Sequence, residues 1–133
     1  MNTRRTITFL FVLAALYDGI LGFAFLLWPG AVFALFEVTP PNHFGYVQFP
    51  ATLLIIFARM FAAIARDAEG SRNLIPYGIL LKVSYCGVVF AYWFTTGIPA
   101  MWKPFAIADL IFMALFGWAY LSLPSRRADR YAH

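Results

Sequence analysis

Four apolar runs, each close to the ~20 residues that a hydrocarbon core demands, constrain this chain more than any other feature. They fall at about 6–28, 49–65, 74–94 and 104–121. We read them as the spans of an all-α, four-helix transmembrane bundle. The second run is the shortest. Composition points the same way, with 62% hydrophobic and 12% charged residues, against roughly half and a quarter in a soluble domain. A chain of 133 residues forms one domain, 1–133, and its surface-to-volume ratio is too high to hide that much apolar surface from water. Lipid is the natural solvent.

The first run begins after "MNTRR", which looks like the positive region of a signal peptide. Its apolar part is too long for one, it contains Asp18, and no small-x-small cleavage site follows, so it reads as a retained span. Polar segments separate the runs. "TPPNHFGYVQFP" ends the first with two adjacent prolines, "RDAEGSRN" is a short charged turn, and "TTGIPAMWKP" closes the third gap. After Trp28-Pro29-Gly30, "AVFALFEV" is apolar but short, and reads as an interfacial turn of helix. The tail "PSRRADRYAH" leaves the membrane.

With four spans, both termini and the second loop share one side. That side holds Arg4, Arg5, Arg66, Arg72, Arg126, Arg127 and Arg130; the other has only Lys103. The positive-inside rule then predicts an inner-membrane protein with both termini cytoplasmic. Trp28, Trp93 and Trp102 fall at the outer interface, with Trp118 and Tyr77 near the inner one. The basic tail meets anionic lipid, which accounts for the net charge of +4 without nucleic acid.

Each span carries one ionisable residue: Asp18, Arg59, Lys82 and Asp109. A charge near a helix centre costs roughly 2.5–3.5 kcal/mol on insertion scales, so such groups pair, neutralise or reach water. At the helical rise, Asp18 lies about 18 Å, Lys82 about 12 Å and Arg59 about 9 Å from the cytoplasmic end, and Asp109 about 8 Å from the outer end. Because Cα–Cβ bonds tilt toward the helix N-terminus, Asp18 leans inward and Arg59 outward, which predicts an Asp18–Arg59 pair. Lys82 leans toward the cytoplasm, so it either joins the cluster or snorkels to the headgroups. Small residues share the charged faces: Ala14, Ala15 and Gly22 with Asp18, Ala62 and Ala63 with Arg59, Gly78 and Cys86 with Lys82. Small residues let helices approach closely in lipid, so these faces are read as the packed ones. Tyr85, three residues beyond Lys82, shares its face and completes a predicted intramembrane polar cluster.

Catalytic and metal chemistry find little support. The single cysteine, Cys86, allows no internal disulfide or Cys-x-x-Cys motif, and it reads as a small apolar filler. No phosphate loop, zinc-protease spacing or nucleophile elbow is present in the sequence, so an enzyme is not expected. His43 is a candidate loop contact for a quinone or metal, though a motif-free histidine is more often a solvated interfacial residue. Phe25, Phe112 and Phe116 are candidate cavity-lining residues among fifteen phenylalanines.

The layout, with the first span running into "LGFAFLLWPGAVFALF" through a Trp-Pro-Gly break and a short apolar return, resembles the DoxX-like group of small four-helix bacterial membrane proteins. That resemblance implies a quinone as candidate ligand and transfers no functional residue. Three roles follow from the sequence. The chain binds a quinone, lipid or other small amphiphile in its polar cluster, serves as accessory subunit of a larger membrane complex, or carries protons or a small solute. Its partners would be the bilayer, such a ligand, and another membrane subunit or copy of itself.

Overall fold

The computed structural model describes residues 2–124. Arg126, Arg127, Arg130 and His133 lie outside the described residues. Five helices follow in order: α1 (Thr3–Leu27), α2 (Pro29–Leu35), α3 (Gly45–Arg66), α4 (Ile75–Trp93) and α5 (Lys103–Ser122). Short 3-10 turns at Arg72–Leu74 and Ala100–Trp102 lead into α4 and α5. Four helical segments are long and apolar enough to cross a membrane: Thr3–Leu27, Gly45–Arg66, Arg72–Trp93 and Ala100–Ser122. They match the four predicted spans closely, with ends within four residues; the second and fourth each begin four residues early, at Gly45 and Ala100.

Local chemistry sets the ends. Asn2 caps α1 by accepting the Arg5 backbone N–H at 2.9 Å. Pro29 stops α1 and opens α2, where its missing N–H does no harm. The short apolar return after Trp-Pro-Gly is thus a helix, as its sequence predicts. At the end of α2, Glu37 takes a left-handed backbone (φ 55°), while the Val38 N–H donates back to the Phe33 carbonyl at 3.0 Å. This is a Schellman-type ending with glutamate in the place usually held by glycine.

The helices pack as two antiparallel pairs, α1 with α3 and α4 with α5, and the pairs touch each other much less than their members do. In the first pair close approach depends on glycine. A Cβ on Gly22 would sit 2.8 Å from both the Ala51 carbonyl oxygen and Ile55 Cγ1. Where the pairs meet, Gly78 of α4 leaves room for the Phe61 ring of α3; a Cβ there would sit 2.6 Å from Phe61 Cε1.

Two apolar cores hold the bundle, one toward each end. At the end holding the chain's N-terminus, Ile7, Leu10, Phe11, Phe61, Ile64, Ile75 and Phe116 are buried together. Phe11 stacks on Phe116 with centroids 4.9 Å apart, and Phe61 lies 5.1 Å from Phe116. Arg4 pairs with Glu69 across this end, and Arg72 donates to the Tyr120 carbonyl at 3.0 Å while its guanidinium lies over the Tyr120 ring. At the opposite end Phe25, Phe33, Ala51 and Met101 form the second core, with Trp102 stacked on Phe25 at 5.8 Å. Outward faces are apolar, with Leu16, Ile20, Phe23, Ile56, Leu80 and Ile111 all exposed. Between the two cores lies a layer that is not apolar.

Candidate functional site: an ion bridge beside a cavity

That layer is built by three helices. Each contributes one charged residue from its buried stripe: Asp18 between Ala14 and Gly22 on α1, Lys82 between Gly78 and Cys86 on α4, and Asp109 three residues after Ala106 on α5. Lys82 is wholly buried, Asp18 is 1% exposed and Asp109 7%. The Lys82 ammonium donates to Asp18 Oδ1 at 2.9 Å, to Asp18 Oδ2 at 3.1 Å and to Asp109 Oδ1 at 2.9 Å. The two Asp18 oxygens lie too close in angle at Nζ to take an N–H each, so they share one, and Asp109 takes another. The rings of Tyr17, Phe112 and Phe61 surround it at 5.3, 5.3 and 5.8 Å, within cation–π range. One cation thus ties α1, α4 and α5 together and links the two helix pairs.

The predicted Asp18–Arg59 pair does not form. Arg59 is exposed and makes no ion pair among the described residues. Tilt along the helix axis says nothing about azimuth. On α3 the residues nearest α1 include Ala51 and Ala58, the latter 3.6 Å from a Cβ placed on Gly19. Arg59 follows Ala58 and so points about 100° further round the helix, given ~3.6 residues per turn. Ala62 and Ala63, expected to mark a packed face with Arg59, are exposed beside it. The snorkelling alternative for Lys82 is also overturned, because its ammonium ends inside the bundle on two carboxylates.

Tyr85 stands near the bridge without joining it; its hydroxyl donates to the Trp102 carbonyl at 2.9 Å. Cys86 is buried, and its thiol donates to the Ala106 carbonyl at 3.4 Å across the α4–α5 contact. His43 is far from this layer in role and place: it is exposed, and its Nδ1 accepts the Gly45 N–H at 2.9 Å at the start of α3. Of the three phenylalanines singled out, Phe25 borders the cavity described next, while Phe112 flanks Lys82 and Phe116 belongs to the first core.

Beside the bridge is a cavity of about 570 Å³, bordered by Asp18 and Asp109 at one end and by Phe25 and Trp102 at the other. Its walls are mostly apolar, from Leu21, Val47, Pro50, Leu54, Leu81 and Phe105. The cavity exists because α3 and α4 meet at Phe61–Gly78 and diverge beyond it. Leu53 and Tyr46 of α3 and Val88 of α4 border it and are themselves exposed, so it opens sideways between these two helices. Pro50, inside α3 on this wall, has no N–H for the residue 46 carbonyl, which loosens the helix at the opening. Tyr17 also borders the cavity, and its hydroxyl oxygen is buried without a hydrogen-bond partner among the described residues. The sequence pointed to a cavity at the polar cluster, but of Phe25, Phe112 and Phe116 only Phe25 lines it, because its place depends on how far two apolar helices splay.

Comparison with protein-family models, curated proteins and solved structures gives no match to this chain, so its function is argued from its own residues.

Proposed function

We propose that this chain is a small polytopic membrane protein that takes an amphiphile from the bilayer into the cavity between its helix pairs. One observation carries the reading: an apolar cavity of about 570 Å³ opens sideways, at the level of the spans, and ends on a charged layer. Its volume lies within the ~300–1,000 Å³ of ordinary small-molecule sites, which are likewise apolar with a few convergent polar groups. A molecule entering between Leu53 and Val88 would keep its apolar body against Leu54, Leu81 and Phe105 and bring its polar end to the carboxylates. Quinones and lipids share that general form. In the orientation we favour, the inner membrane holds the bundle with both termini in the cytoplasm, because Arg4, Arg5, Arg66 and Arg72 gather toward one end.

The test is native mass spectrometry of the protein released from mild detergent. Wild type should retain a stoichiometric small amphiphile, and a variant with its mouth blocked by Leu53→Trp and Val88→Trp should lose it. A bare wild-type protein, or one carrying only bulk lipid equally in both forms, would sink the reading.

Arg59 favours a second role, compatible with the first. A guanidinium on the apolar outer face of α3 is expensive in lipid, and it would be satisfied by a carboxylate from another membrane subunit or a second copy of this chain. Arg59→Gln should then abolish a complex seen on native gels in mild detergent. An unchanged migration would remove the reason for invoking a partner.

A further inference from the structure

We infer that the ligand of this cavity carries a cationic, hydrogen-bond-donating head, such as a protonated amine on an apolar body. The inference rests on the amphiphile reading above and adds the chemistry of the head group. Two carboxylates face one ammonium, so the layer sums to one negative charge when all three groups are ionised. Lys82 offers no donor to a ligand, because it does not border the cavity and its ammonium is turned onto Asp18 and Asp109. Asp18 is likewise engaged through both oxygens. Asp109 is not: only its Oδ1 meets Lys82, and its side chain, 10% exposed, borders the cavity. The neighbouring hydroxyls have also committed their protons, Ser84 to the Leu81 carbonyl at 2.7 Å and Tyr85 to the Trp102 carbonyl at 2.9 Å. Both keep lone pairs. At its carboxylate end, what the cavity presents to a head group is therefore, apart from the Tyr17 hydroxyl, a set of acceptors; the Trp102 indole N–H lies at the other end and the Tyr46 hydroxyl at the mouth.

With Asp109 ionised, these acceptors select a donor with positive charge, which supplies the partner that its second oxygen lacks. A quinone presents two carbonyl acceptors and would find Asp109 repulsive; an anionic head would be worse. Aromatic rings from Tyr17, Tyr85, Phe105 and Trp102 also border the cavity, and such faces attract an ammonium with their negative quadrupole. Lateral entry suits the same molecule, since an amphiphilic amine partitions into bilayers and reaches Leu53 and Val88 from lipid.

The experiment compares three probes that share an eight-carbon tail: octylamine, octanol and octanoate. Radiolabelled probe is equilibrated with full-length protein in zwitterionic lipid nanodiscs, and binding is corrected with empty nanodiscs. Octylamine should bind most tightly, octanol more weakly and octanoate least. Asp109→Asn, which keeps an oxygen for Lys82, should weaken octylamine about tenfold or more, the scale of one charge-assisted hydrogen bond, with octanol little changed. If Asp109→Asn does not fold, Val88→Trp serves instead; it leaves the bridge intact and should abolish octylamine binding. Equal affinity for all three probes, or octylamine binding unchanged in Asp109→Asn, would overturn the cationic head while leaving an amphiphile site standing; octylamine binding unchanged in Val88→Trp would overturn the cavity as the site altogether. Binding of none of them would overturn both.

Discussion

Replacing Lys82 with methionine removes the ammonium and little else, because methionine is unbranched, of similar length and at home in apolar cores. The consequences can be worked from the geometry. Both oxygens of Asp18, a residue 1% exposed, receive hydrogen bonds from Lys82, and Asp109 receives one more. Taken at the ~1.5–3 kcal/mol of charged hydrogen bonds, three contacts overstate the loss, because the unfolded chain in lipid finds other partners. At the ~0.6 kcal/mol average of interhelical polar contacts they understate it, since two carboxylates are left stranded. Breaking a buried pair by removing one partner costs ~3–5 kcal/mol, and that is the loss expected for Lys82→Met. The assay is reversible unfolding in mixed micelles with increasing dodecyl sulfate, followed by far-ultraviolet circular dichroism. Combining Lys82→Met with Asp18→Asn should cost less than the sum of the two, with a coupling of about 1–3 kcal/mol. Coupling to Asp109 should be smaller, since Lys82 meets one of its oxygens rather than both. Arg59→Gln, which breaks no ion pair among the described residues, should not destabilise the bundle. A Lys82→Met protein as stable as wild type, or an Arg59→Gln protein as damaged as Lys82→Met, would refute the bridge.

Glycine substitutions should separate by position. Gly22→Ala, which meets the Ala51 carbonyl and Ile55 at 2.8 Å, should cost ~1–3 kcal/mol, whereas Gly87→Ala, with nothing within 4 Å, should stabilise by ~0.5–1 kcal/mol; both are read in the same unfolding assay. Phe116→Ala removes the ring that Phe11, Phe61 and Phe112 pack against and should cost ~3–5 kcal/mol, the range for large core truncations. Cysteine labelling tests the opening. A membrane-permeant maleimide should react with Val88→Cys at the exposed mouth and leave the buried Cys86 of wild type unmodified, as mass shift would show.

How much was legible can be stated residue by residue. Hydropathy alone placed four helices within a few residues, because a span has little freedom once its length is set by the bilayer. The short return after Trp28 was readable from Pro29 and from the brevity of the apolar run. The pattern of one charge per span grouped Asp18, Lys82 and Asp109 in one polar cluster, together with Arg59 and Tyr85, while depth and tilt paired Asp18 with the wrong cation; Gly78 and Cys86 marked the packed face of α4 correctly. Azimuth was the failure. In a helix that is apolar nearly all round, hydropathy does not distinguish the lipid side from the protein side, and the alanines beside Arg59 were no better guide. A stronger signal lay in glycine: Gly22 sits four residues from Asp18, and Gly78 four from Lys82, whereas Arg59 has no glycine on its helix nearer than Gly45. The cavity was anticipated only in Phe25, not in its place or its mouth, since these follow from the splay of α3 and α4 beyond the Phe61–Gly78 contact.

The central claim is that one ammonium holds two carboxylates at the end of that cavity, and the chain is well suited to a direct measurement. It contains only two lysines, Lys82 and Lys103. With nitrogen-labelled lysine and carboxyl-labelled aspartate in bilayers, solid-state NMR recoupling between lysine Nζ and aspartate Cγ reports the contact. The account predicts one lysine nitrogen strongly coupled to two aspartate carboxyls, a signal lost in Lys82→Met and reduced to one partner in either Asp18→Asn or Asp109→Asn. A Lys82 nitrogen coupled to neither aspartate would contradict it.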